Sequence, residues 1–463
     1  EIYQCDWSSD VCSSDPPAAT APEKPKPQKS PETKPDQPKE RKQQPQAKTE
    51  EAPQPSPRKP KPDKKPQPKT AKPAPSAESQ AKSPSGSQPG DVVWTYPRLL
   101  PGQGLDLQAQ RGCVAIDGNR QLLVAMGKKL VALTEHEEEP RELWDYPVRG
   151  QIPGSPTVGR DGNIRIHSGD GMLHCVKPDG EQAFSAKVGQ PLGWASPLVD
   201  DENHTLICAY TGGLIKVDAR GSRASQAFFR SRQKFDSTGV IHNGVLYVGA
   251  EDAFVYAIRL AGSHGRNEWN HAKDNGKTEW FINTAVAYHD GIFVIAGRDE
   301  YLYGFDDKGQ QIWRVHLRGQ MLGSPVVDER GNIYVGVSQE QRGEESRGQL
   351  VCVAGSSHDV RWQYDAEAAI ESTPAIGDDG LIYFGDNEGV LHAVDADGGR
   401  QWRTNIGSPI RSAGTITPTK RVIFGTDEGT IVAVACSSHG LAKQGWPKFL
   451  GSSTQSGLTH GRH

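Results

Sequence analysis

The 463-residue sequence predicts an all-β fold: an eight-bladed β-propeller of four-stranded antiparallel blades, preceded by a disordered Pro/Lys-rich tail. Three observations predict it. From about residue 111 the chain is self-similar, with a period in the low-to-mid forties. Each period holds short runs of period-2 apolar alternation separated by Gly/Asp/Asn turns, the pattern of antiparallel hairpins. Most periods close on an aromatic segment. Four-stranded units of about 40–50 residues, repeated four to eight times, define a propeller.

The clearest unit runs from Ser372 to Trp402, with turns at Asp379-Gly380, Asn387-Glu388-Gly389 and Asp397-Gly398-Gly399. The same frame starts at Ser155-Pro156, Ser196-Pro197, Thr238-Gly239, Ala285-Val286, Ser324-Pro325 and Ala413-Gly414. The Ser324 unit carries a polar insertion at 338–348. A degraded first unit spans Cys113 to Trp144. Within the unit, the Gly after the second strand (Gly249, Gly336, Gly385, Gly425) allows a tight turn or a close backbone approach. Ala393-Val394-Asp395 reads as the third strand, its Asp capping the next turn. The fourth-strand Trp (Trp144, Trp313, Trp362, Trp402) fills the wedge between neighbouring sheets. Phe184 and Phe228-Phe229 stand in for it in the second and third units, and the fourth ends at Trp269. A blade buries little alone, so stacking and ring closure supply stability. Asp91–Tyr96 has the look of a fourth strand but precedes the first unit, so it is expected to complete the last blade. The segment around Trp446 is the competitor, with 440–463 packing afterwards.

Composition divides the rest. Residues 16–90 hold 20 of the 34 prolines, carry 16 Lys/Arg against 8 Asp/Glu, and lack Val, Ile, Leu, Met, Phe, Trp and Tyr entirely. With nothing to bury, ordering entropy is unopposed, and this segment reads as an extended, disordered linker. Its interspersed acids, lack of aromatics and excess of Lys over Arg argue against nucleic acid as a partner. Residues 91–463 carry 37 Lys/Arg and 45 Asp/Glu, so the +8 linker and the −8 propeller nearly cancel. Residues 1–15 contain DWSSDVCSSD, which back-translates into what resembles a common short-read sequencing adapter. They are expected to be an artefact, with the native N-terminus and any anchor lost. The expected organisation is therefore 1–15 artefact, 16–90 linker, 91–450 propeller and 451–463 C-terminal tail. No run approaches the roughly 18 apolar residues of a membrane helix.

The AxDxxxGxxxW pattern, met at Ala393-Val394-Asp395 through Trp402, resembles the pyrroloquinoline-quinone (PQQ)-type propeller repeat over essentially all of 111–436. Gly445-Trp446-Pro447-Lys448-Phe449 is similar to a short motif of many bacterial members. The resemblance implies a PQQ-like, BamB-like propeller. That family contains quinone-dependent dehydrogenases as well as cofactor-free proteins such as the outer-membrane assembly lipoprotein BamB, and fold alone does not choose between them.

In the dehydrogenases, the resemblance implies an adjacent-cysteine disulfide, a calcium held by Glu and Asn, and an Asp base. This sequence has no adjacent Cys pair. Setting Cys5 and Cys12 aside with the adapter-like segment leaves Cys113, Cys175, Cys208, Cys352 and Cys436, scattered among strands. Cys175 and Cys352 sit at third-strand positions held by Ala elsewhere, a buried small-hydrophobe role. The acidic turns Gly385–Gly389, Thr426–Gly429 and Arg298–Glu300 lack calcium-loop spacing and read as solvated hairpins. His264 and His271 fall in a polar stretch read as a surface loop. No catalytic, cofactor-binding, metal or other binding residue is assigned. The expectation is a non-catalytic scaffold, a monomeric propeller binding a protein or envelope-polymer partner without cofactor. It is expected to be extracytoplasmic, tethered to a membrane through the lost N-terminus. The alternatives are a PQQ- and calcium-dependent alcohol or sugar dehydrogenase with a divergent site, and a polysaccharide-acting propeller.

Overall fold

Eight sheets of four antiparallel strands follow one another around a ring. The structure, a computed structural model, describes residues 87–98, 112–135, 138–189, 193–223, 227–339 and 346–459. The adapter-like segment, all but the last four residues of the 16–90 linker, part of the 338–348 insertion and residues 460–463 lie outside these. No α-helix occurs among the described residues; the one helical turn is the 3-10 segment His271–Lys273. None is long and apolar enough to cross a membrane.

Blades 1 to 7 are built in chain order, each from an inner strand of two or three residues outward. Blade 8 takes its inner three strands from Thr415–Thr417, Arg421–Gly425 and Ile431–Ala435. Its outer strand is Val92–Tyr96, paired antiparallel with Ile431–Ala435. The strand favoured from sequence thus closes the ring, and Trp446 lies elsewhere, bridged to Val327 in blade 6.

One register recurs in the wedge between blades. Trp144 pairs with Ala132, Phe184 with Cys175, Trp313 with Gly304, Trp362 with Cys352 and Trp402 with Ala393. The third-strand partner is always small because the aromatic ring lies across it; a Cβ on Gly304 would overlap the Trp313 indole. In each of these blades the register shifts immediately afterwards, a bulge that twists the outer strand. The ring then reaches the next blade's turn. Trp144 Nε1 donates to Pro178 O (3.0 Å), Trp269 Nε1 to Asp307 O (2.9 Å) and Trp362 Nε1 to Ala396 O (2.9 Å). Asp395 caps its turn as expected, accepting from Asp397 N (3.0 Å) and Gly399 N (2.8 Å). Gly398 in that turn has φ +85° and lies against Trp362, so it supplies both the left-handed backbone and the space.

Some sequence expectations are refined. Gly249, Gly336 and Gly385 serve close approach rather than a tight turn: Ile282, Ile370 and Ile410 occupy the space a Cβ would need. In blades 3 and 4 the outer strand shrinks to Phe229–Arg230 and Arg266–Asn267. Trp269 does its wedge work from just beyond the strand. Cys113 and Cys436 flank strands rather than lie in them; all five described cysteines are buried and free. His271 lies on an otherwise exposed connection, as expected, but its ring turns inward. It is half-buried, stacked on Phe254 at 4.3 Å and within 3.0 Å of Val255 O through Nε2.

Candidate functional site

The inner strands line a channel whose two ends differ. At one end, residues after the last strand cross beneath the ring. Five inner-strand amides donate to carbonyls of this tail: Ile116 to Ser453, Val158 to Thr454, Ile241 to Gly457, Val327 to Trp446 and Ile376 to Pro447, at 2.7–2.9 Å. Inner strands have one edge without a sheet neighbour, and the tail supplies the missing acceptors. Trp446, Lys448, Leu450 and Gln455 are buried there. Two of these tail side chains reach residues at the inner strands of blades 8 and 1 that also join a belt of hydroxyls: Lys448 Nζ donates to Thr415 Oγ1 (2.9 Å) and Gln455 Nε2 to Cys113 O (3.1 Å). The Gly445–Phe449 motif is therefore a plug for this end.

At the other end, the connectors between blades enter the inner strands through a belt of hydroxyls. Cys113 N donates to Ser155 Oγ, Ser155 N to Ser196 Oγ, Ser196 N to Thr238 Oγ1, Ala285 N to Ser324 Oγ and Ser324 N to Thr373 Oγ1, at 2.8–3.0 Å. Thr415 Oγ1 donates to Val114 O (2.6 Å), linking the last blade to the first. The recurring Ser-Pro and Thr frame in the sequence is the mark of this belt. Two residues before the repeat-frame positions Ser155, Ser196, Thr238, Ala285, Ser324, Thr373 and Ala413 stands one residue per connector: Pro153, Trp194, Asp236, Asn283, Leu322, Glu371 and Arg411. These differ between blades, whereas the belt repeats, so this ring individualises the open end.

On the blade 6 to 8 side the groups are paired. Arg411 Nη1 contacts Asp427 (2.7 Å), its Nε donates to Asn387 Oδ1 (3.1 Å), and Asn387 Nδ2 donates to Glu371 (2.8 Å). On the blade 3 to 5 side aromatics are exposed: Trp194 is 52% exposed, Tyr210 37% and Trp280 56%. Lys234 Nζ sits 3.9 Å from the Tyr210 ring centre, donates to the Tyr210 hydroxyl and pairs with Glu251 (2.9 Å). Asp236 is buried beside them, and desolvation pushes its carboxyl up to about 6, with Lys234 opposing and Glu251 reinforcing the shift. Trp280 packs edge-on to Phe281, over which Arg298 lies at 5.6 Å.

The described residues do not reproduce the adjacent-cysteine and Glu/Asn donor set that the resemblance implies for quinone-dependent dehydrogenases. No two of the described cysteines are adjacent, and burial pushes the Cys208 and Cys352 thiols up to about 12. Among the described residues no group of three His, Cys, Asp or Glu side chains could hold a metal ion. The acidic turns are occupied internally: buried Asp386 accepts from Glu388 N, Val390 N and His392 Nε2, and Asp299 accepts from Tyr301 N and the Tyr303 hydroxyl. A cleft of about 790 Å³ between blades 3 and 4, at the plugged end, is lined by Asp200, His204, Lys216 and Arg259. Its polar groups are already partnered: His204 with Asp200 (2.8 Å), Lys216 with Asp200 (3.8 Å) and Arg259 with Glu268.

A closed ring of eight such units, wedge aromatic over small third-strand residue, is an eight-bladed β-propeller, and its repeats are similar to the PQQ-like, BamB-like type. Residues 298–441, from the middle of blade 5 through blade 8, match the family described as outer membrane protein assembly factor BamB. Among solved structures the fold is similar to BamB from Moraxella catarrhalis, with 15% identity, 74% of this chain and 99% of that chain covered, and a TM-score of 0.56. It is also similar to the computationally designed Ika8 protein (13% identity; 72% and 98% covered; 0.56) and to Saccharomyces cerevisiae Sqt1 (12%; 72% and 97%; 0.59). These likenesses establish the fold. No curated protein matches the sequence.

Proposed function

We propose that this protein is a non-catalytic, BamB-like propeller scaffold that binds a protein partner at the open end of its channel, in an extracytoplasmic compartment. The observation that carries this reading is the contrast between the two ends. The tail saturates one, while the other exposes Trp194, Tyr210 and Trp280 on connectors and hairpins held by a rigid belt. Exposed aromatics on a stiff frame bury area at low entropic cost, the composition of interface centres. The misfit of the donor set to quinone and calcium favours a scaffold over the dehydrogenase reading.

The test uses the full chain. Crosslinking in the native envelope identifies the bound component, and binding of that purified component is then measured with a Trp194→Ala, Tyr210→Ala, Trp280→Ala variant of unchanged melting temperature. Loss of binding supports the proposal. Undiminished binding overturns it, as does dye-coupled alcohol oxidation when quinone and calcium are added. Crosslinking to a polysaccharide instead would favour the envelope-polymer reading.

A further inference from the structure

The charges at the blade 3 to 4 part of the open end do not balance. Asp236 and Glu251 face one ammonium, that of Lys234, which is committed to Glu251 and to the face and hydroxyl of Tyr210. Asp236 is 9% exposed, and its Oδ1 has no hydrogen-bond partner among the described residues. The carboxylate accepts from the backbone N–H of Trp194, whose side chain is half exposed. Gly193 separates Asp236 Oδ1 from the Tyr210 ring, each 3.3 Å from where its Cβ would lie. One more acid than base, an unmatched buried carboxylate oxygen, the half-exposed Trp194 indole and the Tyr210 ring already bearing an ammonium thus converge across two neighbouring connectors and the hairpins of blades 3 and 4.

That combination selects a cation. A guanidinium or ammonium is attracted by aromatic faces and by carboxylates, both strengthened where water is scarce. The molecule already displays the chemistry once, in Lys234 on Tyr210 and Glu251. A neutral sugar would use the aromatic faces but leave the surplus charge unmatched. We propose that the rim formed by Trp194, Tyr210, Asp236 and Glu251 is a subsite for a basic side chain, arginine or lysine, of the protein partner. This deepens the scaffold reading and rests on it.

The probe is an acetylated, amidated peptide of three Gly-Arg repeats, titrated into the full chain labelled at its tryptophan indole nitrogens, with maltotriose as the neutral arm. Trp194→Phe assigns the Trp194 resonance. The peptide should shift that resonance saturably, and Asp236→Asn, with its melting temperature not lowered, should weaken binding by at least about tenfold through loss of the charge. No shift up to ~5 mM peptide, the range of a weak single-site contact, overturns the subsite. So does binding unaltered in both Asp236→Asn and Glu251→Gln, or a shift by maltotriose alone. If the aromatic-to-alanine variant still loses the crosslinked partner while the peptide fails to bind, only the subsite falls and the scaffold reading stands.

Discussion

Trp94 lies directly across the sheet from Ala433, the register that places Trp402 across from Ala393 in the blade before it. The wedge rule therefore survives the one junction where the chain is discontinuous. Trp94 is 5% exposed and packs with Ile116, Leu122 and Val131 of blade 1, so blade 8 docks on blade 1 as every other blade docks on its successor.

Trp94→Ala should cost about 3–5 kcal/mol, the range for a buried Trp truncation. Deleting 91–97 should abolish cooperative unfolding of the ring, because blade 8 then loses its outer strand. Denaturant titration followed by circular dichroism checks both; a deletion variant that melts unchanged would contradict this closure.

The tail should protect the inner strands. Truncation after residue 440 is expected to raise hydrogen exchange at the Ile116, Val158, Ile241, Val327 and Ile376 amides, each of which now donates to a tail carbonyl. Amides paired within blades, such as those between Ile382–Gly385 and Val390–Val394, should change much less.

Gly304→Ala should destabilise by roughly 1–3 kcal/mol, the usual cost of overpacking, because the new methyl meets the Trp313 indole. Trp313→Phe in the same chain should recover part of the loss. Gly380→Ala is the contrast: it meets open space and carries only the cost of its φ of +81°, expected near 1 kcal/mol. A double-mutant cycle in urea reads the Gly304–Trp313 coupling.

Asp236 predicts a pH dependence. Burial raises its carboxyl from 3.8 to about 6, so the folded state keeps a proton that the unfolded state releases between those values. Its contribution to stability is complete below about pH 4 and is lost as pH rises through about 6. Asp236→Asn should remove this slope and stabilise the protein at pH 7 by roughly 1–3 kcal/mol, following the free-energy value of a pKa unit. Melting temperatures of both proteins from pH 4 to 8 decide it, with parallel curves as the contrary outcome.

Cys208 is fully enclosed, and desolvation pushes its thiol up to about 12. It should resist iodoacetamide in the native state at pH 8 and react only on unfolding. Mass spectrometry after labelling with and without denaturant measures this.

Much of this architecture was legible in the sequence. Repeat length, turn positions, the Asp395 cap, the wedge aromatics and the closing strand all leave local side-chain signatures. Period-2 alternation, Gly-rich turns and a Trp or Phe at fixed spacing are dictated within one blade, and eight copies reinforce them. The half-burial of the His271 ring was not legible, because it depends on Phe254, on a neighbouring hairpin of the same blade.

What only the tertiary structure decided is how the two ends of the channel differ. The tail binds through backbone carbonyls, which every residue possesses, so no sequence pattern announces its path across blades 1, 2, 4, 6 and 7. The open rim takes one residue from each connector, and Trp194, Asp236 and Asn283 resemble one another in nothing but their distance from the next inner strand. Blade-building residues repeat because each must solve the same packing problem. Rim residues need not, and ring closure alone brings them together.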